Sequence, residues 1–129
     1  GKITKPLQPA FFVNGSPSET SGNVHSFGNI KHNIGSHYVN STGRFTAPVA
    51  GRYLFTAGIW AAAGSDNFMQ VRINEAGDHA GVHVNNSAIV SGTVSAVYSM
   101  AANDYASIHC LYTIQGSTPR NFFSGILIG

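Results

Sequence analysis

Six histidines, five acids and one cysteine are the side chains of this 129-residue sequence most able to do chemistry. His79 and His83 stand four positions apart, which on a strand places both on one face. His32 and His37 make a second pair. Neither spacing matches a helical zinc motif, so scattered surface or interface histidines are expected and no metal site is assigned. A single His aimed at a three-fold axis would become three ligands, but the sequence has no His-x-His repeat to strengthen that arrangement.

The acids Glu19, Asp66, Glu75, Asp78 and Asp104 lie in or beside turn-like clusters, and none pairs with a helix-borne His or a nucleophile. The chain therefore reads as a non-enzyme. Asp66, Asp78 and Asp104 could offer oxygens to calcium, but that ion takes about six to eight and no loop is dense in acids. No cofactor is expected, calcium being the one ion these loops could serve. Cys110 is the only cysteine, so it forms no intrachain disulfide, and its flanks Ile108 and Leu111-Tyr112 predict a buried thiol on a strand.

Recognition is the chemistry that remains. The polar loop residues Asp66, Asn67, Asp78, His79, Asn85 and Asn86 are the candidate ligand contacts. Tyr38, Trp60, Tyr98, Tyr105 and Tyr112 would stack on sugar rings if exposed, although aromatic residues in alternating strands more often pack in a core or between subunits. Tyr53 and Trp60 are read as structural.

These residues must be positioned by strands. No segment shows the i, i+3, i+4, i+7 apolar pattern of a long amphipathic helix, whereas short β-branched and aromatic runs recur between Gly, Asn, Asp and Pro clusters. Ten strands are expected, over residues 10–14, 24–31, 35–40, 44–46, 51–61, 66–74, 79–84, 89–100, 105–113 and 122–128. Turn chemistry separates them, as in Asn14-Gly15-Ser16-Pro17, Asn40-Ser41-Thr42-Gly43 and Glu75-Ala76-Gly77-Asp78. Along residues 52–60, Tyr53, Phe55, Ala57 and Ile59 share one face while Leu54, Thr56, Gly58 and Trp60 share the other. Both faces are fairly apolar, more than a sandwich strand needs, so one of them is expected to meet a neighbouring subunit.

Composition points the same way. Charged residues are 9% of the chain, against about 25% in ordinary soluble domains, which leaves a surface that is neutral or buried against something. Net charge is +2 and the seven Lys and Arg are scattered from Lys2 to Arg120, which excludes nucleic acid as the main partner. Apolar runs such as Ile59-Trp60-Ala61-Ala62-Ala63 are too short for membrane insertion, and residues 1–9 lack the charged-then-apolar pattern of a signal peptide.

The residues themselves resemble a family. His37-Tyr38, then Gly43-Arg44-Phe45-Thr46-Ala47-Pro48, then Gly51-Arg52-Tyr53-Leu54-Phe55 is similar to the C1q signature of a Phe, a Pro and a Gly-x-Tyr-x-Phe step. Ala10-Phe11-Phe12-Val13 resembles the family's opening strand, Phe27 to Tyr38 its second segment, and Phe122-Phe123-Ser124-Gly125-Ile126-Leu127-Ile128 its closing strand. Phe45, Pro48, Gly51, Tyr53, Phe55, Phe123 and Gly125 are thus fold-building positions, Gly51 for close approach or positive φ and Tyr53 and Phe55 for inward rings. The sequence departs from the animal pattern at Ala101-Ala102-Asn103-Asp104-Tyr105, where a Gly-Asp pair is usual, and at Ile126, where a Phe is usual.

The resemblance implies an all-β, ten-stranded jelly-roll sandwich of the C1q/TNF type that assembles as a homotrimer, with residues 10–129 the globular domain and 1–9 a stalk-proximal segment. It implies binding through loops at the outer end. Sparse charge, the unpaired Cys110 and the Thr46-Ala47-Pro48-Val49-Ala50-Gly51 run resemble phage or bacterial fibre versions. The functional expectation is a trimeric C-terminal head of a fibre, a phage tail fibre in particular, on the virion or another extracellular surface. It would bind a host cell-surface glycan or protein. The alternatives are a trimerisation knob that locks a fibre, or a secreted C1q-like lectin or effector.

Overall fold

The computed structural model describes residues 8–15, 18–21, 24–61, 67–84, 90–110 and 120–129. Among the described residues there are twelve strands: β1 (Ala10–Asn14), β2 (Ser18–Ser21), β3 (Val24–Ser26), β4 (Asn29–Ile34), β5 (Tyr38–Val39), β6 (Arg44–Thr46), β7 (Gly51–Ala61), β8 (Asn67–Ile73), β9 (Ala76–Val84), β10 (Val90–Met100), β11 (Tyr105–Cys110) and β12 (Phe122–Leu127). They build two sheets. One has five strands in the order β10-β7-β12-β1-β4; the other has seven, ordered β2-β3-β11-β6-β5, with β8 also paired to β11 and β9 to β8. The strand pairs are antiparallel throughout.

The count exceeds the expected ten for two reasons. The stretch 24–31, read as one strand, is two strands in different sheets: β3 pairs with β11 and β4 with β1. The chain crosses between sheets at Phe27-Gly28, where the fully buried Phe27 takes the Tyr38 hydroxyl as acceptor for its N–H at 3.4 Å. The second addition is β2, in a polar stretch that carries no apolar alternation. The expected strand 35–40 shrinks to β5, because Gly35 (φ 83°) and Ser36 (φ 60°) turn the chain. The Asn33 side chain closes that turn, donating to the Tyr38 carbonyl at 2.8 Å and accepting from the Tyr38 N–H at 3.1 Å.

The core lies between the sheets and is largely aromatic. Phe11, Tyr53, Phe55 and Phe123 point inward from the five-stranded sheet, and Tyr38 and Phe45 from the other; all are buried. Phe11 sits among them, its ring 4.9 Å from Phe45, 5.1 Å from Tyr38 and 4.8 Å from Phe123. Gly125 lies directly opposite Phe11 in the β1–β12 ladder. A Cβ there would stand 2.6 Å from the Phe11 ring and 2.7 Å from the Phe55 ring, so packing demands glycine. Gly51 is likewise a close approach, a Cβ meeting Leu127 Cδ1 at 2.7 Å. Its φ is not positive, which removes the other reason expected for it. Ala47 binds the 101–104 turn, donating to the Asp104 carbonyl at 2.8 Å and accepting from the Asn103 N–H at 2.8 Å, and Pro48 follows half-buried. The Tyr53 hydroxyl donates to the Val49 carbonyl at 2.7 Å and pins the same corner.

Tyr98 ties the two sheets together. Its hydroxyl donates to the Val71 carbonyl at 3.2 Å and accepts from the Ala80 N–H at 2.6 Å, beside the register break in the β8–β9 ladder. Tyr98→Phe would leave two backbone groups unpaired and is expected to cost about 1–3 kcal/mol. Urea denaturation at fixed protein concentration measures it; an unchanged midpoint would show that the bridge contributes nothing.

Candidate assembly and ligand-binding surfaces

The outward face of the five-stranded sheet is built in rows by strand register. Val97, Leu54, Ile126, Ala10 and Ile34 stand opposite one another across β10, β7, β12, β1 and β4. Val97, Ile126 and Ile34 are 52%, 39% and 41% exposed. The next row is Ser95, Thr56, Ser124, Phe12 and His32, with Ser95 and Thr56 hydroxyls 3.1 Å apart and His32 stacked on Phe12 at 6.3 Å. The third is Thr93, Gly58, Phe122, Asn14 and Asn29, in which the Phe122 ring lies over Gly58 where a Cβ would be 2.3 Å away. None of these positions is an Asp, Glu, Lys or Arg; the exposed Arg52, opposite Ser99, continues the same face of β7 beyond the apolar row. The second apolar face expected of residues 52–60 is therefore part of a sheet-wide surface.

The outward face of the seven-stranded sheet is polar. Ser107 stands opposite Arg44 of β6 on one side and Arg72 of β8 on the other. Arg44 pairs with Glu75 at 2.6 Å and lies 4.2 Å from the centre of the Tyr105 ring. Ser107 and His109 are buried, with Oγ and Nε2 3.1 Å apart. Beyond them a groove of about 390 Å³ runs between β8 and β9, lined by Phe68, Gln70, Gly81, Val82 and His83. A larger apolar hollow, about 530 Å³, opens at the end of the sandwich between Pro9, His37, Pro48, Val49, Leu127 and Ile128.

The expected ligand contacts fall in three segments of the chain. Asp66, Asn85 and Asn86 lie outside the described residues. Asn67 opens β8, and Asp78 and His79 lie within β9 rather than in a loop. The reason is the hairpin turn, which uses Asn74 (φ 54°) and Glu75 (φ 59°) and so returns to strand at Ala76. Two residues at positive φ form the mirror-image turn that suits the right-handed strand twist. For Asn67, Asp78 and His79 only the backbone is described. His79 falls in the irregular stretch of the ladder between Ala76 and Ala80. The residues that do form a concave site on this sheet, Phe68, Gln70, Gly81 and His83, were not foreseen. Their signal is the alternation Phe68-x-Gln70-x-Arg72, outward, against Met69-x-Val71, inward.

The remaining chemical groups are accounted for locally. His32 and His37 are separated, the first stacked on Phe12 and the second edge-on to Phe45 at 6.4 Å. Among the described residues no three His, Cys, Asp or Glu side chains come together as metal ligands. Both Asp104 oxygens serve a turn, Oδ1 accepting from Asn74 Nδ2 at 3.1 Å and Oδ2 from the Ala101 N–H at 2.9 Å, and these bonds hold its carboxyl below the usual carboxylate range. Tyr38 is buried and Tyr98 is committed to its cross-sheet bridge, so neither is a sugar platform; Tyr112 and the Trp60 side chain lie outside what is described.

Cys110 is a buried free thiol whose ionisation is pushed up by desolvation, and burial pushes Tyr38 up to about 12. Both groups keep their protons in the native state at a pH where the unfolded chain gives them up. Their contribution is therefore fully present below about pH 8.5, the ordinary value of an unfolded thiol, and is lost as pH rises through 12. Denaturation midpoints measured from pH 7 to 11 are expected to fall steadily above about 8.5; a flat profile would show that neither group is buried as described.

Two comparisons bear on this architecture. The model of the C1q domain matches residues 10–128. The solved structure titled "Globular Domain of Zebrafish Complement 1qA protein" is 21% identical, with a TM-score of 0.71 over 95% of this chain and 98% of that one. No curated protein matches by sequence. At that identity the zebrafish structure speaks for the fold alone, and it is the same two-sheet sandwich. With the family match running from β1 through the end of β12, and with Phe45, Tyr53, Phe55, Phe123 and Gly125 all in the core, this chain belongs to the C1q-domain family.

Proposed function

We propose that this chain is one third of a homotrimeric head that works outside the cell and binds a cell-surface glycan or protein. The observation that carries the reading is the outward face of the five-stranded sheet, where three successive rows hold no Asp, Glu, Lys or Arg and one row, from Val97 to Ile34, is apolar. Exposed apolar patches of this continuity mark contact surfaces, and each Å² removed from water gains about 25 cal/mol. A face that meets its own copies around a closed axis satisfies all subunits alike. The polar outer sheet then faces solvent in three copies, and weak contacts to a multivalent surface combine.

Binding is favoured over catalysis because Ser107 and His109, the one hydroxyl–imidazole pair among the described hydrogen bonds, are buried beyond reach of a substrate. The fibre-tip setting, a phage tail fibre in particular, rests on the sparse charge and the unpaired cysteine; residues 1–9 would then lead to the stalk. A locking knob would use the same apolar face and is separated by binding alone.

Sedimentation equilibrium is expected to give three times the chain mass at micromolar concentration, and labelled trimer is expected to bind target cells. A stable monomer would overturn the reading. A trimer that binds no cell or glycan surface would make the chain a knob.

A further inference from the structure

We infer that the groove between β8 and β9 binds a carboxylate-bearing sugar, held at its acid end by Arg72. The inference rests on the binding-head reading and names its ligand class and site. Strand β8 presents Phe68, Gln70 and Arg72 to the outside while Met69 and Val71 are fully buried. Across the ladder His83 stands opposite Phe68, and Gly81 opposite Gln70. A Cβ at Gly81 would sit 2.9 Å from Gln70 Cγ and 3.0 Å from the Met69 carbonyl, so glycine keeps the floor of the groove low at its middle. Two flat rings, the Phe68 phenyl and the His83 imidazole, thus border a trough with an amide at its base.

The charge is at one end. Arg72 donates from Nε at 3.0 Å and from Nη2 at 2.8 Å to the single oxygen Gln70 Oε1. Gripped by a neutral amide, the guanidinium keeps its orientation and its charge, and the rest of its N–H fork stays available. Among the described residues no carboxylate pairs with it, and Glu75 is taken by Arg44 at 2.6 Å. An anion would complete the fork, whose geometry suits a carboxylate bidentately. The rings suit the apolar face of a pyranose, and the groove, about 390 Å³, lies in the range of ligand sites. Phosphate or sulfate alone would use Arg72 and leave the aromatic walls without a role.

The test is titration of the native protein with 3′-sialyllactose and with digalacturonic acid, followed by amide and side-chain NMR shifts, against lactose and methyl-esterified digalacturonate. Acidic sugars are expected to shift Gln70, Gly81 and His83 resonances, with neutral counterparts at least ten-fold weaker. Arg72→Gln is expected to lower acidic-sugar affinity at least ten-fold while leaving mass and denaturation midpoint unchanged, and Arg72→Lys to recover part of the loss. Equal binding of acidic and neutral sugars, insensitivity to Arg72→Gln, or equal binding of a sulfated sugar would each overturn the inference. So would the absence of any shift in the groove. Failure of the binding-head reading looks different: a monomer that ignores cells could still show the acidic-sugar shifts. Conversely, a trimer that binds cells equally well with Arg72→Gln would retain the head and lose this site.

Discussion

Phe11→Ala is expected to lose about 3–5 kcal/mol, a large part of the roughly 5–15 kcal/mol that holds a domain of this size together. Phe11 is 1% exposed and touches rings from both sheets: Tyr38 and Phe45 on one side, Phe123 and Phe55 on the other. Truncation removes those contacts and opens a cavity that the neighbours cannot close, because Gly125 beneath it has no side chain to move in. Phe11→Leu keeps most of the volume and is expected to cost appreciably less. Urea denaturation at one protein concentration measures both, since assembly makes the midpoint concentration-dependent. A Phe11→Ala loss under about 1 kcal/mol would mean that the ring cluster is not the keystone of the core.

Ile126→Asp is expected to reduce the assembled mass to that of a single chain. Ile126 is in β12, the central strand of the five-stranded sheet, between Leu54 and Ala10 in the apolar row, and is 39% exposed in the isolated chain. A carboxylate placed in that row would have to be desolvated in every copy with no Lys or Arg in the row itself, a cost of several kcal/mol per ion. The same substitution is solvated in a free subunit and should leave its fold intact. Light scattering reads the mass and circular dichroism the fold. A folded trimer carrying Ile126→Asp would place the subunit contact on another face; the control Val49→Asp, at an exposed corner outside these rows, is expected to remain assembled.

Much of this architecture can be read in the amino acids. The alternation through Tyr53, Phe55, Ala57 and Ile59 is regular because β7 is long and continuous, so its inward face announces itself. The strand switch at Phe27-Gly28 could not be read, because both halves are extended and only their distant partners, β11 and β1, decide which sheet each joins. The Asn74-Glu75 turn was displaced to Gly77 because glycine is the usual bearer of positive φ, whereas here Glu75 adopts it and gains the Arg44 ion pair. The β8–β9 groove was hidden for the same reason as the strand switch. Seven scattered cations look featureless in one dimension, and Arg44 and Arg72 come to flank Ser107 only when β6 and β8 pair with β11.

The central position of β12 also constrains how the domain is made. Its partners β1 and β7 lie on either side of it, and Ala10 meets Ile126 only after nearly the whole domain has been synthesised. Until then the five-stranded sheet exists as two separate ribbons, β1 with β4 and β7 with β10, each marginal alone and each with an open hydrogen-bonding edge. Folding on the ribosome therefore has to wait for the final strand, and closure joins segments far apart in sequence, the slow kind of step. A premature stop shortly before residue 122 would yield two unpaired half-sheets with a strong tendency to aggregate.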